Sequence, residues 1–566
     1  MTSRRTVART FIEALGRRGI DVVFANAGTD HAPIVEALAA MRGEGAPMPD
    51  FHVVPHENTA MAMAQGYYLV SGKPAAVLVH VTVGTANTLC SLMNARRSNV
   101  PVLLFAGRNP LSQEGHAGSR SVPIHWGQDA FDQNAMLREY AKFEHELRAY
   151  QDVDAIVGRA LQIAMSEPRG PVYLTLPREL LADPESAVAS AAAPATVTPA
   201  APDERAIAEL AGLLAGAEAP AIVTSTLGAD PAARTELETV ADRLAIPVVQ
   251  SWPFAINVRS DHPMNLRTSG TDWLGKADVI VVVDAAVPWV PRRFRPRTDA
   301  TVVQMAADPS YSMYPYRDFP GQRLIAGSTR AGLAMLARHV ADLDLHEARV
   351  EARRAEVARL VEQEDRRRRA RIEKARTAVP IDAAWTAHCV NAVKSERAVV
   401  VNELGVPFDY LDLPDASVYV GETTAGGLGT GLGQALGAKL ADPGRDVYCC
   451  VGDGSFMFGN PTPALLAART LKLPITIIVA NNGMWYAVEQ STADIFPDGA
   501  AAAAGDMPLT RFGESPDYAA IARACGAHGE RVEDPAGLEE ALRRARERNG
   551  AGQAALLEVL TAPGTR

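Results

Sequence analysis

The stretch that decides the fold is Val451-Gly452-Asp453-Gly454-Ser455-Phe456-Met457-Phe458-Gly459-Asn460-Pro461, continued twenty residues later by Ile477-Ile478-Val479-Ala480-Asn481-Asn482-Gly483-Met484-Trp485. Residues 447–451 are apolar and strand-like and run into one acidic residue between two glycines. A helical stretch follows, then a second apolar strand over 475–480, which ends on paired asparagines. Such a strand–loop–helix–strand unit puts a carboxylate and a carboxamide at the carboxyl ends of two parallel strands, where open α/β sheets bind ligands. Asp453 offers a hard oxygen, Asn482 a neutral one, and the Met484 carbonyl a third. Three protein oxygens leave octahedral positions for water and two phosphate oxygens, the usual way of holding Mg²⁺ against a diphosphate. Glycines at 452 and 454 let backbone N–H groups approach an anion closely.

Outward from this unit, the 566-residue chain has the rhythm of several α/β domains. With 47% apolar and 22% charged residues it reads as an ordinary globular protein. A net charge of −10 gives no reason to expect nucleic acid or an anionic membrane as partner. The basic runs Arg292-Arg293-Phe294-Arg295 and Arg366 to Arg371 are short, and the second reads as the solvated face of a charged helix. Five cysteines without metal-ligand spacing fit a reducing cytoplasm. The N-terminus lacks the long apolar run of a signal peptide. It reads instead as an amphipathic helix with Val7, Phe11, Ile12 and Leu15 on one face. No stretch approaches membrane-spanning length.

Strands are predicted at 21–25, 51–55, 75–81, 102–106 and 171–177, with helices at 31–41, 56–70 and 84–98 between them. The alternation argues a doubly wound parallel sheet. The Ala/Pro-rich segment 182–202 reads as a linker. A second α/β unit over 203–342 has strands predicted at 221–224, 247–250, 279–283 and 301–305. Residues 343–379 read as a charged helical connector, and 380–566 hold the opening unit. No short tandem repeat is present.

GDG followed at this distance by NN resembles the signature of the thiamine diphosphate superfamily that includes pyruvate decarboxylase, benzoylformate decarboxylase and acetolactate synthase. The resemblance spans nearly the whole chain. It implies three doubly wound parallel-sheet domains: pyrimidine-binding at 1–181, central at 203–342 and diphosphate-binding at 380–566. It also implies thiamine diphosphate and Mg²⁺ as cofactors, with Asp453, Asn482 and Met484 on the metal and Gly405, Gly452, Gly454 and Ser455 among the cofactor contacts. Two further motifs carry the same resemblance. Pro55-His56-Glu57 opening a small-residue helix is similar to the site of the glutamate that pairs with the cofactor's aminopyrimidine. A buried carboxylic acid there, its pKa raised, would favour the imino tautomer that takes the proton from the thiazolium carbon. Ala425-Gly426-Gly427-Leu428-Gly429 is similar to the stretch whose bulky residue wedges between the two rings, here Leu428, with the Gly426 carbonyl on the exocyclic amine.

His80, in His80-Val81-Thr82-Val83-Gly84-Thr85-Ala86-Asn87, matches the segment that gives benzoylformate decarboxylase an active-site histidine. Thr29 stands where that enzyme has an active-site serine. A histidine near neutrality can return a proton after decarboxylation or take one from an alkoxide. His125, Trp485 and Tyr486 are further candidates for the substrate pocket. Two departures argue against acetolactate synthesis. Ala130-Phe131-Asp132-Gln133 carries Asp132 in place of the family glutamine, and Gly483 to Gln490 does not match that enzyme's substrate segment. The run Thr224-Ser225-Thr226-Leu227-Gly228 lacks the early glycine of a flavin site, so FAD is not expected.

The reading is therefore a Mg²⁺- and thiamine diphosphate-dependent enzyme that cleaves or forms a carbon–carbon bond beside a carbonyl, foremost a nonoxidative 2-oxo acid decarboxylase with carboligase capacity. The alternatives are an acetolactate synthase-like carboligase, an acyloin or 2-hydroxyacyl lyase and, from another class, a catalytically silent cofactor-binding scaffold. The resemblance further implies a homodimer or homotetramer with active sites between subunits.

Overall fold

The computed structural model describes residues 5–184, 197–505 and 507–563. Most of the predicted linker, residues 185–196, lies outside the described residues.

Three parallel sheets carry the fold. The first comprises β1 (Val22–Asn26), β2 (Asp50–Val53), β3 (Ala75–Val79), β4 (Val102–Arg108), β5 (Phe143–Glu146) and β6 (Val172–Pro177), in the order β2-β1-β3-β4-β6-β5. The second comprises β7 (Pro220–Thr224), β8 (Val248–Gln250), β9 (Val279–Val283), β10 (Thr301–Ala306) and β11 (Arg323–Ala326), in the order β11-β10-β9-β7-β8. The third comprises β12 (Val399–Glu403), β13 (Val418–Val420), β14 (Val447–Gly452), β15 (Thr476–Asn481), β16 (His528–Val532) and β17 (Ala555–Leu560), in the order β13-β12-β14-β15-β17-β16. The central strands β9 and β14 are continuous apolar runs buried at every position, and β4 is equally buried, with the ion-paired Arg108 at its end. Parallel strands covered by helices on both faces require this.

The chain divides into two compact units. One consists of Met1–Val197, Thr423–Arg531 and Arg543–Val559, the other of Thr198–Glu422, Val532–Leu542 and Leu560–Arg566. In the first, the helix Val7–Arg17 buries Phe11, Ile12 and Leu15 against the first sheet's core, as its amphipathic pattern predicts. In the second, Glu347–Ala375 is one 29-residue helix that buries Val350, Arg353 and Val357 and turns its arginine-rich stretch mostly to solvent. No helix among the described residues is long and apolar enough to cross a membrane.

Local corrections follow from capping and from edge positions. Strand β3 stops at Val79 because His80 is already the N-cap of a helix. The helix predicted over 84–98 is two helices, Val81–Asn87 and Leu89–Arg97, meeting at Thr88. Strands β5 and β11, of sequence FEHE and RLIA, are half-exposed edge strands whose charges hid their pairing.

Within the first unit, the helices Glu57–Ser71 and Gly431–Ala441 cross at backbone contact. A Cβ added at Gly66 would lie 1.9 Å from the Gln434 carbonyl, and one at Gly437 would lie 1.9 Å from the Met63 carbonyl. Alanines 60, 62 and 64 line the same buried helix. Small residues at this spacing let the two backbones meet, and both helices begin beside candidate cofactor residues.

Candidate active site

The carboxyl ends of β1, β3, β4 and β6 converge on one cluster. Glu57 is the first residue of its helix and is half-buried. Its Oε1 accepts a 2.9 Å hydrogen bond from Asn26 at the end of β1, and its Oε2 a 2.6 Å bond from Asn87. A Cβ at Gly84 would lie 3.4 Å from Oε1, so the carboxylate is flanked by a residue with no side chain.

His80, at the end of β3, hydrogen-bonds through Nδ1 to Asp30, which is buried. Two glycines shape the space around this pair. A Cβ at Gly28 would lie 2.0 Å from His80 Nδ1, and one at Gly107 would lie 1.5 Å from Asp30 Oδ2. The hydrogen bond to Asp30 raises the His80 pKa against the opposing effect of burial, and the Glu57 charge adds to the rise. Burial pushes the Asp30 pKa up, but His31 and His80 together hold it below the usual carboxylate range. His31 itself is buried, which lowers its pKa.

His125 is buried, with Nε2 3.5 Å from Thr29 Oγ1 and Nδ1 accepting the Ser121 N–H at 3.1 Å. Burial lowers its pKa, and Arg178 and Arg120 lower it further. Arg178, just beyond β6, donates to the Thr29 carbonyl at 3.3 Å and so braces that loop. Thr29, His80 and His125, which lie far apart in sequence, are thus gathered at the carboxyl end of the sheet. Asp132 turns away to pair with Arg138 at 2.8 Å.

A second cluster forms at the ends of β14 and β15. Asp453 is 2% exposed. Its Oδ1 accepts the Gly454 N–H at 2.8 Å, and its Oδ2 the N–H groups of Asn482 and Gly483 at 3.1 and 2.7 Å. Asn482 Oδ1 accepts the Met484 N–H at 3.1 Å. The carboxylate, the carboxamide and the turn after them are therefore one preorganised loop of hard oxygen donors, which fits a Mg²⁺–diphosphate. Among the described residues no cluster of three His, Cys, Asp or Glu side chains suits a metal. A set built on Asp453 would draw on an amide and a carbonyl instead.

Trp485 packs edge-on against Phe512 with centroids 5.0 Å apart, and its ring fills the space that a Gly454 side chain would need, 2.3 Å from that Cβ. Tyr486 begins the next helix and is half-buried.

The glycine loop before Gly431 is held by Asn94. Its Nδ2 donates to the Gly427 carbonyl at 2.6 Å, and its Oδ1 accepts the Gly427 N–H at 3.1 Å. Gly426, at φ +64°, has open space where a side chain would be, and Leu428 is half-buried. Gly405 lies in the other unit, just after β12, where its N–H donates to Asn402 Oδ1 at 3.2 Å.

Sequence reading missed Asp30, Asn26, Asn87, Asn94 and Glu558. Glu558, on β17, is fully buried and accepts the Asn481 carboxamide at 2.9 Å, while Asn481 in turn accepts the Gly483 N–H at 3.1 Å. A carboxylate inside an otherwise apolar strand was the one available signal, since buried charges are kept only with partners.

Fold and site define a thiamine diphosphate-binding protein. Residues 5–136 match the family described as thiamine pyrophosphate enzyme, N-terminal TPP binding domain, and residues 407–559 match its C-terminal TPP binding domain. The chain belongs to this family and is a thiamine pyrophosphate-dependent enzyme of the decarboxylase and acetolactate synthase type. It is 27% identical to benzoylformate decarboxylase of Pseudomonas aeruginosa over 98% of this chain and 99% of that one. It is also 27% identical to a probable acetolactate synthase of Mycobacterium bovis over 100% of this chain and 96% of the other. In fold it is similar to the thiamine diphosphate-dependent 4-hydroxybenzoylformate decarboxylase of Rhodococcus jostii RHA1, with a TM-score of 0.77 at 23% identity, covering 99% of this chain and 100% of that one.

Proposed function

We propose that this protein is a nonoxidative decarboxylase of 2-oxo acids. The observation that carries the proposal is the pairing of His80 with buried Asp30, beside Glu57 and close to His125 and Thr29. A decarboxylation ending in an aldehyde must return a proton to the carbon that lost carbon dioxide. A carboligase delivers that carbon to a second carbonyl instead. Two imidazoles at the carboxyl end of the sheet suit the first task. The surface pairing of Asp132 with Arg138 also favours it, since that position departs from the acetolactate synthase pattern.

Thiamine diphosphate, when bound, supplies the thiazolium electron sink. The protein's own residues do the rest. Asp453, Asn482 and the Met484 carbonyl would hold Mg²⁺. Gly452, Gly454 and Ser455 would line the diphosphate. Leu428 would stand between the two rings of the bound cofactor, with the Gly426 carbonyl available to its exocyclic amine. Glu57 would hydrogen-bond the pyrimidine nitrogen, oriented by the amides of Asn26 and Asn87. His80 exchanges a proton with the reacting carbon, while Thr29 and His125 orient the carboxylate end, and Trp485 and Tyr486 border the cavity.

We take the working form to be a homodimer or homotetramer. In support, Phe131, Val53 and Trp126 of the N-terminal unit are exposed at 112%, 71% and 50%, apolar surface suited to a second copy. Sparse cysteine use favours a cytoplasmic location. The test is incubation with thiamine diphosphate, Mg²⁺ and a panel of aliphatic and aromatic 2-oxo acids. Carbon dioxide with the matching aldehyde is expected. Cleavage of an acyloin without carbon dioxide would assign a lyase instead.

A further inference from the structure

We infer that Asp30 is the positioning residue for His80: its carboxylate accepts a hydrogen bond from Nδ1–H, which keeps that proton on the ring and leaves Nε2 as the nitrogen that exchanges protons with the reacting carbon. The inference rests on the reading above that His80 faces the substrate.

The geometry is over-determined. Asp30 Oδ1 meets His80 Nδ1, and Oδ2 accepts the Val81 N–H at 3.4 Å, so the carboxylate binds the ring and the backbone beside it. The carboxylate cannot back away, because Gly107 already gives up its side-chain space to Oδ2. The ring cannot flip freely either, because Nδ1 lies in the space that a side chain at Gly28 would occupy. A second imidazole, His31, fixes the polarity of the pair. The Gly28 N–H donates to His31 Nδ1 at 3.0 Å, so in the neutral ring the His31 proton sits on Nε2. That nitrogen lies 3.3 Å from Asp30 Oδ2, though not aligned as a hydrogen bond. Besides His80, Asp30 thus faces the Val81 N–H and the His31 Nε2–H, which favours its anion. The anion in turn favours a proton on His80 Nδ1.

Around His80 also lie the Gln128 side chain, which raises the ring's pKa further, Glu57 from its helix, His31, and His125 with Arg120 and Arg178 behind it. Among the acids of the described residues, Asp30 is the one hydrogen-bonded to the ring. When His80 acts as acid, the Nε2–H bond breaks, its electron pair stays on nitrogen, and the proton forms a C–H bond with the carbanion's pair. The neutral ring keeps Nδ1–H on Asp30 and regains a proton from water. A purely structural ion pair would anchor the β1 loop without setting the protonation of a reacting group.

The test is ¹⁵N NMR of histidine-labelled protein loaded with thiamine diphosphate and Mg²⁺, with the His80 signals assigned by their loss in His80→Gln. In the wild type the neutral His80 ring is expected to carry its proton on Nδ1. In Asp30→Asn the His80 titration should fall by about one pH unit or more. The limb of the kcat–pH profile that reports His80 should move by the same amount, with kcat down about 10-fold or more and KM little changed. A wild-type His80 protonated on Nε2 when neutral overturns the inference without any variant. So does an unmoved His80 titration in Asp30→Asn. A titration that falls while the kcat–pH profile stays fixed shows that His80 is not the proton-exchanging group. That result overturns the inference by sinking the functional reading beneath it.

Discussion

Gly437→Ala should destabilise the protein although alanine is the better helix former. The added Cβ would lie 1.9 Å from the Met63 carbonyl, whereas ordinary contact begins at 3.4 Å. That carbonyl lies inside the helix Glu57–Ser71, so it cannot swing aside like the end of a long side chain. The helices must part by more than an ångström, and their interface must loosen along several buried residues. Overpacking of this kind costs about 3 kcal/mol, offset by about 1 kcal/mol of helix propensity. The net loss of about 2 kcal/mol corresponds to roughly 3 °C in Tm for a cooperative unit of this size. The same movement displaces Leu428 and Gly426, which immediately precede the helix Gly431–Ala441, so thiamine diphosphate should also bind more weakly. Gly212→Ala is the matched control. It lies inside the exposed face of the helix Glu204–Gly216 with nothing within 4 Å of its Cβ, and should gain up to about 1 kcal/mol. Thermal unfolding followed by circular dichroism, with cofactor titration by tryptophan fluorescence, measures both effects. A Gly437→Ala protein with unchanged Tm and unchanged cofactor affinity would refute the close helix crossing.

Glu57→Gln should lower turnover by two orders of magnitude or more while leaving Mg²⁺ and diphosphate binding mostly intact; single-turnover kinetics and calorimetric titration separate the two. Asp453→Ala should abolish cofactor retention on gel filtration, since it removes a hard oxygen and the acceptor of three backbone N–H bonds; undiminished affinity would refute the metal assignment. The His80–Asp30 pair should stabilise the fold in a pH-dependent way. His80 has a raised folded pKa, so its contribution is complete below the ordinary imidazole value of about 6.5 and is lost as pH rises through the folded value. Denaturant titrations should therefore show the stability gap between wild type and Asp30→Asn shrinking with rising pH, and a gap that widens would contradict the pairing.

How far the chain was legible depended on the range of the signal. The Asp453 and Asn482 loop could be read because strand, glycines and asparagines lie within one short segment, where local chemistry dictates geometry. The helix crossing left a trace too, in the spacing of Ala62 and Gly66 and of Gly433 and Gly437, but nothing in the spacing says which helix meets which. The Asp30–His80 pair was invisible, because it depends on β1 lying beside β3 and on two glycines fifty or more residues from one partner or the other. The support of Asn481 by Glu558 likewise spans the sheet from β17 to β15. Strands β5 and β11 escaped notice because edge strands carry charges that break the apolar run.

The most direct test of the central claim is the stoichiometry of carbon dioxide and carbon product from a single preferred 2-oxo acid, measured with thiamine diphosphate and Mg²⁺ bound. A decarboxylase is predicted to release one carbon dioxide and one aldehyde for each acid consumed, and to lose both in Glu57→Gln. One carbon dioxide for every two acids consumed, with an acetohydroxy acid as product, would contradict it and assign the carboligase reaction.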